Sequence, residues 1–367
     1  MSTRTAQDAK TLPRKYYTSQ DVYQAETRNV FFERWIYAGR EGSLTGPGSY
    51  FLCEIESESV ILLRDSEGEI LAHHNVCRHR GTRLLTEPKG QLPKSIQCIY
   101  HAWTYALDGT LIGAPFMDEV ESFCADDYPL KSVSVATWEG CIFINLSGDP
   151  EPFEQAFAPL IGKFGSWTMH ELQIAHSVGY EIRANWKLIV QNYSECYHCP
   201  GLHPVLNQLS PFRNASNDLE EGPFLGGRMR MAIDGGSMTM SAQRCAPSLG
   251  DLSGEALNYV QYYTVYPNML LSLYPDYVLI HRIERLAPDA SRVICDWLFH
   301  PAAMAAESFD PSDAVEFWSM TNEQDWGVSA LSQRGISSQA YTPGPYSELE
   351  SMLAAWDREY LRSIGEV

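Results

Sequence analysis

The fold is decided by two stretches, Cys77-Arg78-His79-Arg80-Gly81 and Cys98-Ile99-Tyr100-His101-Ala102-Trp103. Each stretch pairs one cysteine with one histidine, and 18 residues separate His79 from Cys98. Both stretches lie between strand-like segments, so two hairpin loops can bring the four side chains to one inorganic group. Thiolates bind iron–sulfur clusters and zinc, and imidazoles bind zinc and iron. The sequence therefore predicts a metal centre, either a mixed-ligand iron–sulfur cluster or a Cys₂His₂ zinc ribbon.

The mixed ligand set favours the iron–sulfur alternative. In a Rieske [2Fe–2S] centre two cysteines bind one iron, two histidines bind the other, and the neutral imidazoles raise the potential. The predicted cluster ligands are Cys77, His79, Cys98 and His101. The nearby His73 and His74 are interpreted as strand residues, not as ligands.

Length and composition describe a globular chain with a strongly acidic balance. A chain of 367 residues is long enough for two domains. The net charge of −19 argues against nucleic acid as a ligand, because phosphate binding needs a basic surface. No apolar run approaches the ~20 residues of a membrane span, and residues 1–15 lack the apolar core of a secretory signal. We expect a cytoplasmic protein whose nine cysteines are core residues or metal ligands.

Short β-rich runs surround the two metal-binding stretches and predict an all-β domain. The predicted strands are residues 50–55, 60–63, 70–73, 96–99, 103–107 and 141–146. Asp108-Gly109 and Glu139-Gly140 indicate tight turns between strands. The turn-rich segment 148–152 marks the predicted boundary of this domain.

The rest of the chain combines strand-like runs with helical patterns. Strands are predicted at residues 172–182 and within 259–297, and helices at residues 18–37, 186–197, 313–331 and 347–363. Strands and helices that are segregated along the chain indicate an α+β class.

A second group of potential metal ligands follows the helical pattern that begins at residue 186. Helical spacing places Glu195 and His198 on one face, and Pro200 with Gly201 is expected to end the helix so that His203 turns back. Two histidines and one carboxylate form the facial triad of non-haem Fe(II) oxygenases, which leaves positions open for dioxygen. The carboxylate has to come from elsewhere in the chain.

Two cysteines flank the first of these histidines. Cys196 and Cys199 form a C-x-x-C pattern around His198, which elsewhere is typical of redox or zinc chemistry. Beside a stronger set of ligands, we interpret them as packing residues.

These residues together resemble the Rieske non-haem iron oxygenases, large (α) subunit, over residues 16–364. The resemblance implies an α+β chain, with an N-terminal all-β Rieske domain and a helix-grip catalytic domain whose helices pack on an antiparallel sheet. It implies a helical segment 1–39 that packs on the catalytic domain, a Rieske domain 40–150 and a catalytic iron domain 151–367.

The same resemblance supplies the missing carboxylate ligand. Residues 321–327, followed by Gln333-Arg334-Gly335, are similar to the late aspartate segment of the family. Asp325 is therefore the expected iron ligand, and Glu323 and Glu316 are the nearest alternatives.

The resemblance also implies a homotrimer, in which the cluster of one subunit faces the iron of its neighbour across a bridging carboxylate. Glu195 occupies that position, and His101 is its expected partner across the interface. The commoner family pattern has aspartate here. Glutamate within Asn-Tyr-x-Glu-Cys-Tyr-His-Cys is similar to the branch that acts on carnitine, choline and glycine betaine.

The implied activity is hydroxylation or N-demethylation of a small quaternary ammonium compound, using O₂ and NAD(P)H through a separate flavin and iron–sulfur reductase. Aromatic-ring hydroxylation is the main alternative, and a Rieske electron carrier or a zinc hydrolase are others. A quaternary ammonium is usually bound by aromatic rings through cation–π attraction. The candidate residues for such a cage are Tyr193, Tyr197, Phe212, Tyr263, Tyr266 and Tyr274.

Overall fold

A computed structural model describes residues 9–366, and these residues form two compact units. The smaller unit comprises residues 31–153, and the larger unit comprises residues 9–30 with 154–366. The predicted segments 1–39 and 151–367 include residues 1–8 and 367, which lie outside the described residues. No helix within residues 9–366 combines the length and the apolar character that crossing a bilayer requires.

The smaller unit is built from short antiparallel strands. They are β1 (Ile36–Arg40), β2 (Ser49–Ile55), β3 (Glu58–Arg64), β4 (Ile70–His74), β5 (Lys89–Gln91), β6 (Ser95–Gln97), β7 (Thr104–Ala106), β8 (Leu111–Gly113), β9 (Ser134–Trp138) and β10 (Cys141–Asn145). Their sheets have the orders β1-β10-β9, β4-β3-β2-β5 and β6-β7-β8. The all-β character predicted for this part is confirmed, although β5, β8 and β9 were not predicted.

Both predicted tight turns lie between paired strands. Gly109, between β7 and β8, has a φ of 91°, and Gly140, between β9 and β10, has a φ of 73°. A Cβ on Gly109 would lie 2.8 Å from the His73 ring, so both its backbone and its surroundings require glycine.

The N-terminal helix prediction over residues 18–37 is wrong at its C-terminal end. The helical part comprises α1 (Lys15–Thr18), α2 (Gln20–Glu26) and a π-helical turn at Thr27–Phe31. Ile36 and Tyr37 belong to β1, where they pair with Ile144 and Phe143 of β10. Pairing with a strand more than a hundred residues away overrides the local helical spacing.

The larger unit contains a long antiparallel sheet covered by helices. Its strands are β11 (Gln173–Ile182), β12 (Ala215–Leu219), β13 (Phe224–Arg230), β14 (Tyr259–Val265), β15 (Met269–Leu273), β16 (Val278–Ala287) and β17 (Ala290–Phe299), in the order β11-β17-β16-β15-β14-β13-β12. The remaining helices of the chain are α3 (Phe153–Ala156), α4 (Trp186–Tyr193), α5 (Cys199–Leu202), α6 (Pro204–Leu209), α7 (Pro301–Met304), α8 (Ser312–Ile336) and α9 (Ser351–Ser363). The predicted α+β class is confirmed, whereas β12 and β13 were not predicted.

Helix α8 packs on the sheet through one apolar face. Ala314, Phe317 and Trp318 follow the i, i+3, i+4 spacing of a buried helical face. They share a core with Leu279 of β16 and Trp297 of β17. This packing fixes the position of the following turns of α8 relative to the sheet.

An ionic cluster is buried within the larger unit. Glu26 is fully buried and forms ion pairs with Lys187 and with Arg285, the latter at 3.4 Å. It also accepts hydrogen bonds from Trp186 at 3.0 Å and from the Tyr360 hydroxyl at 2.7 Å. Burial lowers the pKa of Lys187 to about 8, although Glu26 opposes that shift. Glu26 is thus the carboxylate that pairs with both buried cations.

Replacing Glu26 by alanine is expected to destabilise the protein by about 3–5 kcal/mol, because two buried cations lose their shared counter-charge. Urea unfolding followed by circular dichroism measures this change. The control is Glu181→Ala, which removes an exposed ion pair to Arg292 and should cost less than about 1 kcal/mol. Equal effects of the two substitutions would contradict the importance of the buried cluster.

Candidate metal centres

The two cysteine–histidine stretches form loops with the same backbone hydrogen bonds. The carbonyl of Cys77 accepts from the N–H of Gly81, and the carbonyl of Cys98 accepts from the N–H of Ala102, each at 3.0 Å. Gly81 and Ala102 both have a positive φ, at 75° and 57°. Positive φ is costly for alanine, so the second loop retains this turn at the expense of some backbone strain.

Side chains from the two loops converge in the smaller unit. Cys77 and Cys98 are buried in its core, whereas His79 and His101 are exposed. The Nδ1 atoms of the two histidines lie 3.1 Å apart, a separation suited to two nitrogens on one metal ion. Buried thiols on one side and exposed imidazoles on the other fit a cluster with cysteines on one iron and histidines on the other.

A tyrosine that was not predicted contacts one of these cysteines. The Tyr105 hydroxyl accepts the backbone N–H of Arg78 at 2.9 Å and lies 3.3 Å from the Cys77 sulfur. Burial is the main cause that raises the pKa of Tyr105 above its usual value, so the hydroxyl keeps its proton. With its oxygen already accepting a hydrogen bond, the hydroxyl donates to the sulfur.

Replacing Tyr105 by phenylalanine is expected to lower the reduction potential of the cluster. A hydrogen bond to sulfur stabilises the more negative reduced state, and losing about 1 kcal/mol corresponds to roughly 40 mV for one electron. Redox titration followed by electron paramagnetic resonance measures the shift. Tyr128→Phe is the control, because the Tyr128 ring packs against Trp103 and no hydrogen bond joins its hydroxyl to a cysteine in the described chain. An unchanged potential in Tyr105→Phe would contradict this role.

In the larger unit, His198, His203 and Asp325 offer ligand atoms that all lie within 4.8 Å of one another. Nε2 of His203 lies 2.8 Å from Oδ1 of Asp325, and Nε2 of His198 lies 3.5 Å from the same oxygen. Asp325 follows the two histidines by more than a hundred residues along the chain, and the fold brings the three side chains together. Two imidazoles and one carboxylate fit the facial ligand set of a mononuclear iron.

The helix predicted over residues 186–197 is too long. Helix α4 ends at Tyr193, and Glu195 lies in the loop that follows. The Glu195 carboxylate accepts the backbone N–H groups of Tyr197 and, at 3.2 Å, of His198. Such side-chain bonds to the backbone compete with helical hydrogen bonding and favour a turn.

Pro200 and Gly201 do not end a helix as predicted. They lie inside the short α5, in which Pro200 occupies the first turn, where its missing N–H costs nothing. Helix α5 ends at Leu202, so His203 begins the next turn and reaches the same point as His198.

Each histidine of this site is oriented through its other ring nitrogen. Nδ1 of His198 lies 2.6 Å from Oε1 of Glu195, and Nδ1 of His203 lies 2.7 Å from Oε1 of Gln324. Both partners are acceptors, so each Nδ1 carries a proton and each Nε2 is the nitrogen that faces Asp325 and would bind a metal. Gln324 was not predicted. No motif in the sequence marks this glutamine, and its contact with His203 is visible only in the structure.

His198 and Asp325 carry opposite charges near neutral pH. Burial lowers the pKa of His198, but its hydrogen bonds to Asp325 and Glu195 outweigh burial and raise the pKa to about 10. Burial raises the pKa of Asp325, but its hydrogen bonds to His198 and His203 leave it below the usual value. Near neutral pH a metal ion therefore has to displace a proton from His198.

The two competing carboxylates are not grouped with the histidines among the described residues. Glu316 and Glu323 are exposed on α8. Cys199 is buried in the core of the larger unit and Cys196 packs against that core, in agreement with their interpretation as packing residues. None of the nine cysteines, all of which the structure describes, forms a disulfide.

A cavity of about 500 Å³ opens beside the triad. Three of the six cage candidates line it, namely Tyr193, Tyr197 and Phe212. Tyr263, Tyr266 and Tyr274 are buried and are not among the described lining residues, which corrects that part of the prediction. The sequence missed Tyr262 and Trp318, which line the cavity with ring centroids 6.4 Å apart.

Comparison with known families agrees with both centres. A family described as "Ring hydroxylating alpha subunit (catalytic domain)" matches residues 169–366, and the family "Rieske [2Fe-2S] domain" matches residues 34–124. The chain belongs to the Rieske non-haem iron oxygenases. This oxygenase accordingly uses a Rieske cluster, a mononuclear iron and O₂, with electrons supplied by a reductase.

Curated relatives of this oxygenase include two groups of oxygenase subunits. The glycine betaine monooxygenase oxygenase subunit of Chromohalobacter salexigens is 31% identical over 94% of the chain and 83% of its own length. The carnitine monooxygenase oxygenase subunit of Escherichia coli is 36% identical over 54% of the chain and 53% of its own length. Among solved structures, the quaternary ammonium Rieske monooxygenase CntA shares the fold, with a TM-score of 0.82, 22% identity and coverage of 99% of this chain and 98% of that one.

Proposed function

We propose that this oxygenase hydroxylates an N-methyl group of a small quaternary ammonium compound, which then releases formaldehyde. The observation that carries the proposal is the cavity beside the triad, which combines aromatic rings with carboxylates. The names of the relatives that act on glycine betaine and carnitine support the same substrate class.

The cavity suits a cation that cannot donate hydrogen bonds. Tyr193, Tyr262 and Trp318 present aromatic surface, and cation–π attraction to such surface is the main way to hold a quaternary ammonium. The Tyr193 hydroxyl lies 2.9 Å from both the Leu271 carbonyl and the Ser272 hydroxyl, so its ring is held in place. Glu195 and Asp325 also line this cavity, where their carboxylates accept hydrogen bonds from the histidines of the triad.

The proposed reaction balances in atoms and electrons. Two electrons from NAD(P)H and two from a C–H bond reduce O₂, so that one oxygen forms a hydroxymethyl group and the other forms water. The bound cluster and iron supply the electron transfer and the activation of O₂. The hydroxymethyl ammonium then loses a proton, its C–N bond breaks with the electron pair going to nitrogen, and the products are formaldehyde and a tertiary amine.

The contacts within the two candidate metal centres support the proposed residue roles. We propose Cys77, His79, Cys98 and His101 as cluster ligands, and His198, His203 and Asp325 as iron ligands. Glu195 is the proposed bridge to His101 of a neighbouring subunit in a homotrimer, and the exposure of His101 leaves it accessible to such a partner. The proposed reductase is a flavin and iron–sulfur protein that uses NAD(P)H.

The predicted divisions at residues 1–39, 40–150 and 151–367 remain proposals, as does the cytoplasmic location. The grouping of residues 9–30 with the larger unit supports an N-terminal segment that packs on the catalytic domain.

The proposal is tested by comparing glycine betaine with its carbon isostere, 3,3-dimethylbutanoate, which has the same shape without the positive charge. The iron-loaded protein is combined with a generic NADH-dependent reductase, and formaldehyde, O₂ and NADH are followed. We expect one formaldehyde per O₂ with glycine betaine, and no product from the isostere. Carnitine and choline extend the series.

Aromatic-ring hydroxylation is the second candidate, because the cavity walls are rich in apolar and aromatic surface. Turnover of an aromatic acid without turnover of any ammonium compound would replace the proposed substrate class while leaving the oxygenase intact. Release of trimethylamine instead of formaldehyde would move the hydroxylation from the methyl group to the chain carbon beside nitrogen.

A further inference from the structure

Acidic side chains outnumber basic side chains among the described residues that line the cavity. Glu195, Asp325 and Glu348 contribute carboxylates, and Arg213 is the single arginine or lysine among the described residues that line it. Glu195 and Asp325 are already engaged with the histidines of the triad. The positive charge of Arg213 would repel a cation, so its place in a cavity that suits a cation indicates a different role.

Arg213 has no internal counter-charge. Within residues 9–366 no ion pair or hydrogen bond joins its guanidinium to another side chain, although Glu348 lines the same cavity. The Arg230 side chain, by contrast, pairs with Asp234 at 2.7 Å and with Glu255 at 2.8 Å. The guanidinium of Arg213 is therefore available to a ligand.

The Arg213 side chain is exposed at the cavity wall and lies against the ring of its neighbour Phe212. Arg213 lies in the short turn Phe212–Asn214 that leads into β12, and its guanidinium carbon lies 5.5 Å from the centre of the Phe212 ring. The backbone N–H of Phe212 donates to the Asn207 side chain at 3.2 Å, which anchors the turn. An aromatic ring and an arginine thus stand side by side in the cavity wall.

We propose that Arg213 binds the carboxylate of a zwitterionic substrate, so that the enzyme selects ammonium carboxylates over ammonium alcohols. This inference rests on the proposed function and specifies its substrate class. A guanidinium can donate two parallel hydrogen bonds to a carboxylate, which an alcohol cannot accept in the same way. The aromatic surface holds the ammonium end. By binding the carboxylate at the other end, Arg213 directs the N-methyl groups toward the triad.

The test measures kcat/KM for glycine betaine and for choline in the reconstituted system, with wild type, Arg213→Gln and Arg213→Lys. We expect Arg213→Gln to lower the ratio of kcat/KM for glycine betaine to that for choline by about 10- to 100-fold, mainly through KM. Arg213→Lys keeps the charge but loses the paired donors and should give an intermediate ratio.

The matched control is Arg228→Gln. Arg228 is exposed on β13, lies over the Tyr259 ring at 4.7 Å and is absent from the described cavity wall. Its substitution should leave the ratio unchanged. Inhibition by 3,3-dimethylbutanoate, which keeps only the carboxylate, should weaken in Arg213→Gln and not in Arg228→Gln.

The two levels of the proposal fail in different ways. If wild type releases formaldehyde but Arg213→Gln keeps the wild-type ratio, the role of Arg213 is wrong and the demethylase function stands. If wild type turns over no ammonium compound, the proposed function itself is wrong. A wild type that prefers choline to glycine betaine would also overturn the inference.

Discussion

Replacing Asp325 by alanine is expected to remove the mononuclear iron and to lower turnover by more than about 100-fold. Loss of a residue that only orients a metal ligand already costs 10- to 100-fold in affinity or activity, and Asp325 is itself a proposed ligand. Iron should fall from about three to about two per chain, while acid-labile sulfide stays near two. Metal and sulfide analysis measure both numbers, and the visible spectrum of the cluster should not change.

The control for this substitution lies two residues earlier on the same helix. Glu323 is exposed on α8 and was the nearest alternative ligand in the sequence, so Glu323→Ala should keep its iron and its activity. If Asp325→Ala retained a third iron per chain, the carboxylate ligand would have to be sought elsewhere. A variant that lost the cluster as well would instead indicate general misfolding.

The convergence of both pairs of proposed histidine ligands could be predicted because the members of each set are close together in the sequence. Cys77 and His79 share one loop, and His198 and His203 are separated by a single short helix. Spacing within a loop is nearly independent of the rest of the fold. The chemistry of thiolates and imidazoles then limits which metals such a set can hold.

Contacts over long distances in sequence could not be predicted in the same way. Gln324 orients His203 from a position 121 residues away, and no local pattern marks that glutamine. Tyr262 was overlooked in favour of Tyr263, because neighbouring residues of a strand face opposite sides and the sequence does not say which side faces the cavity. Resemblance to a family indicated Asp325. Which residues surround the triad, however, depends on how the strands of the sheet face the cavity.

The helix boundary at Tyr193 shows a second kind of failure. The spacing of Glu195 and His198 suits a helical face, yet the Glu195 carboxylate binds the backbone of the next turn and ends the helix earlier. Functional side chains that bond to the backbone thus override the propensity of the segment that contains them. Glu195 and His198 are in contact as predicted, because a turn can bring side chains three residues apart as close together as a helix does.

Replacing Glu195 by alanine is expected to leave both metal centres occupied but to lower coupled turnover by about 10- to 100-fold. In the structure the Glu195 carboxylate accepts the Nδ1–H of His198 and organises the loop. The Nε2 atom of His198 faces Asp325 and does not contact Glu195, so the proposed metal-binding nitrogen is retained in the variant. Oxidation of the pre-reduced cluster after mixing with O₂ and substrate should slow, whereas iron and sulfide contents should stay at wild-type values. Stopped-flow absorbance of the cluster measures that rate.

Glu195→Gln separates the charge of this residue from its geometry. The amide oxygen can still accept the Nδ1–H of His198, so the imidazole stays oriented while the negative charge that supports its raised pKa is removed. If the bridge requires the carboxylate, the glutamine variant should keep its iron and yet transfer electrons as slowly as the alanine variant. Wild-type rates in both variants would remove the bridging role, and loss of iron from the alanine variant alone would make Glu195 a residue that positions His198.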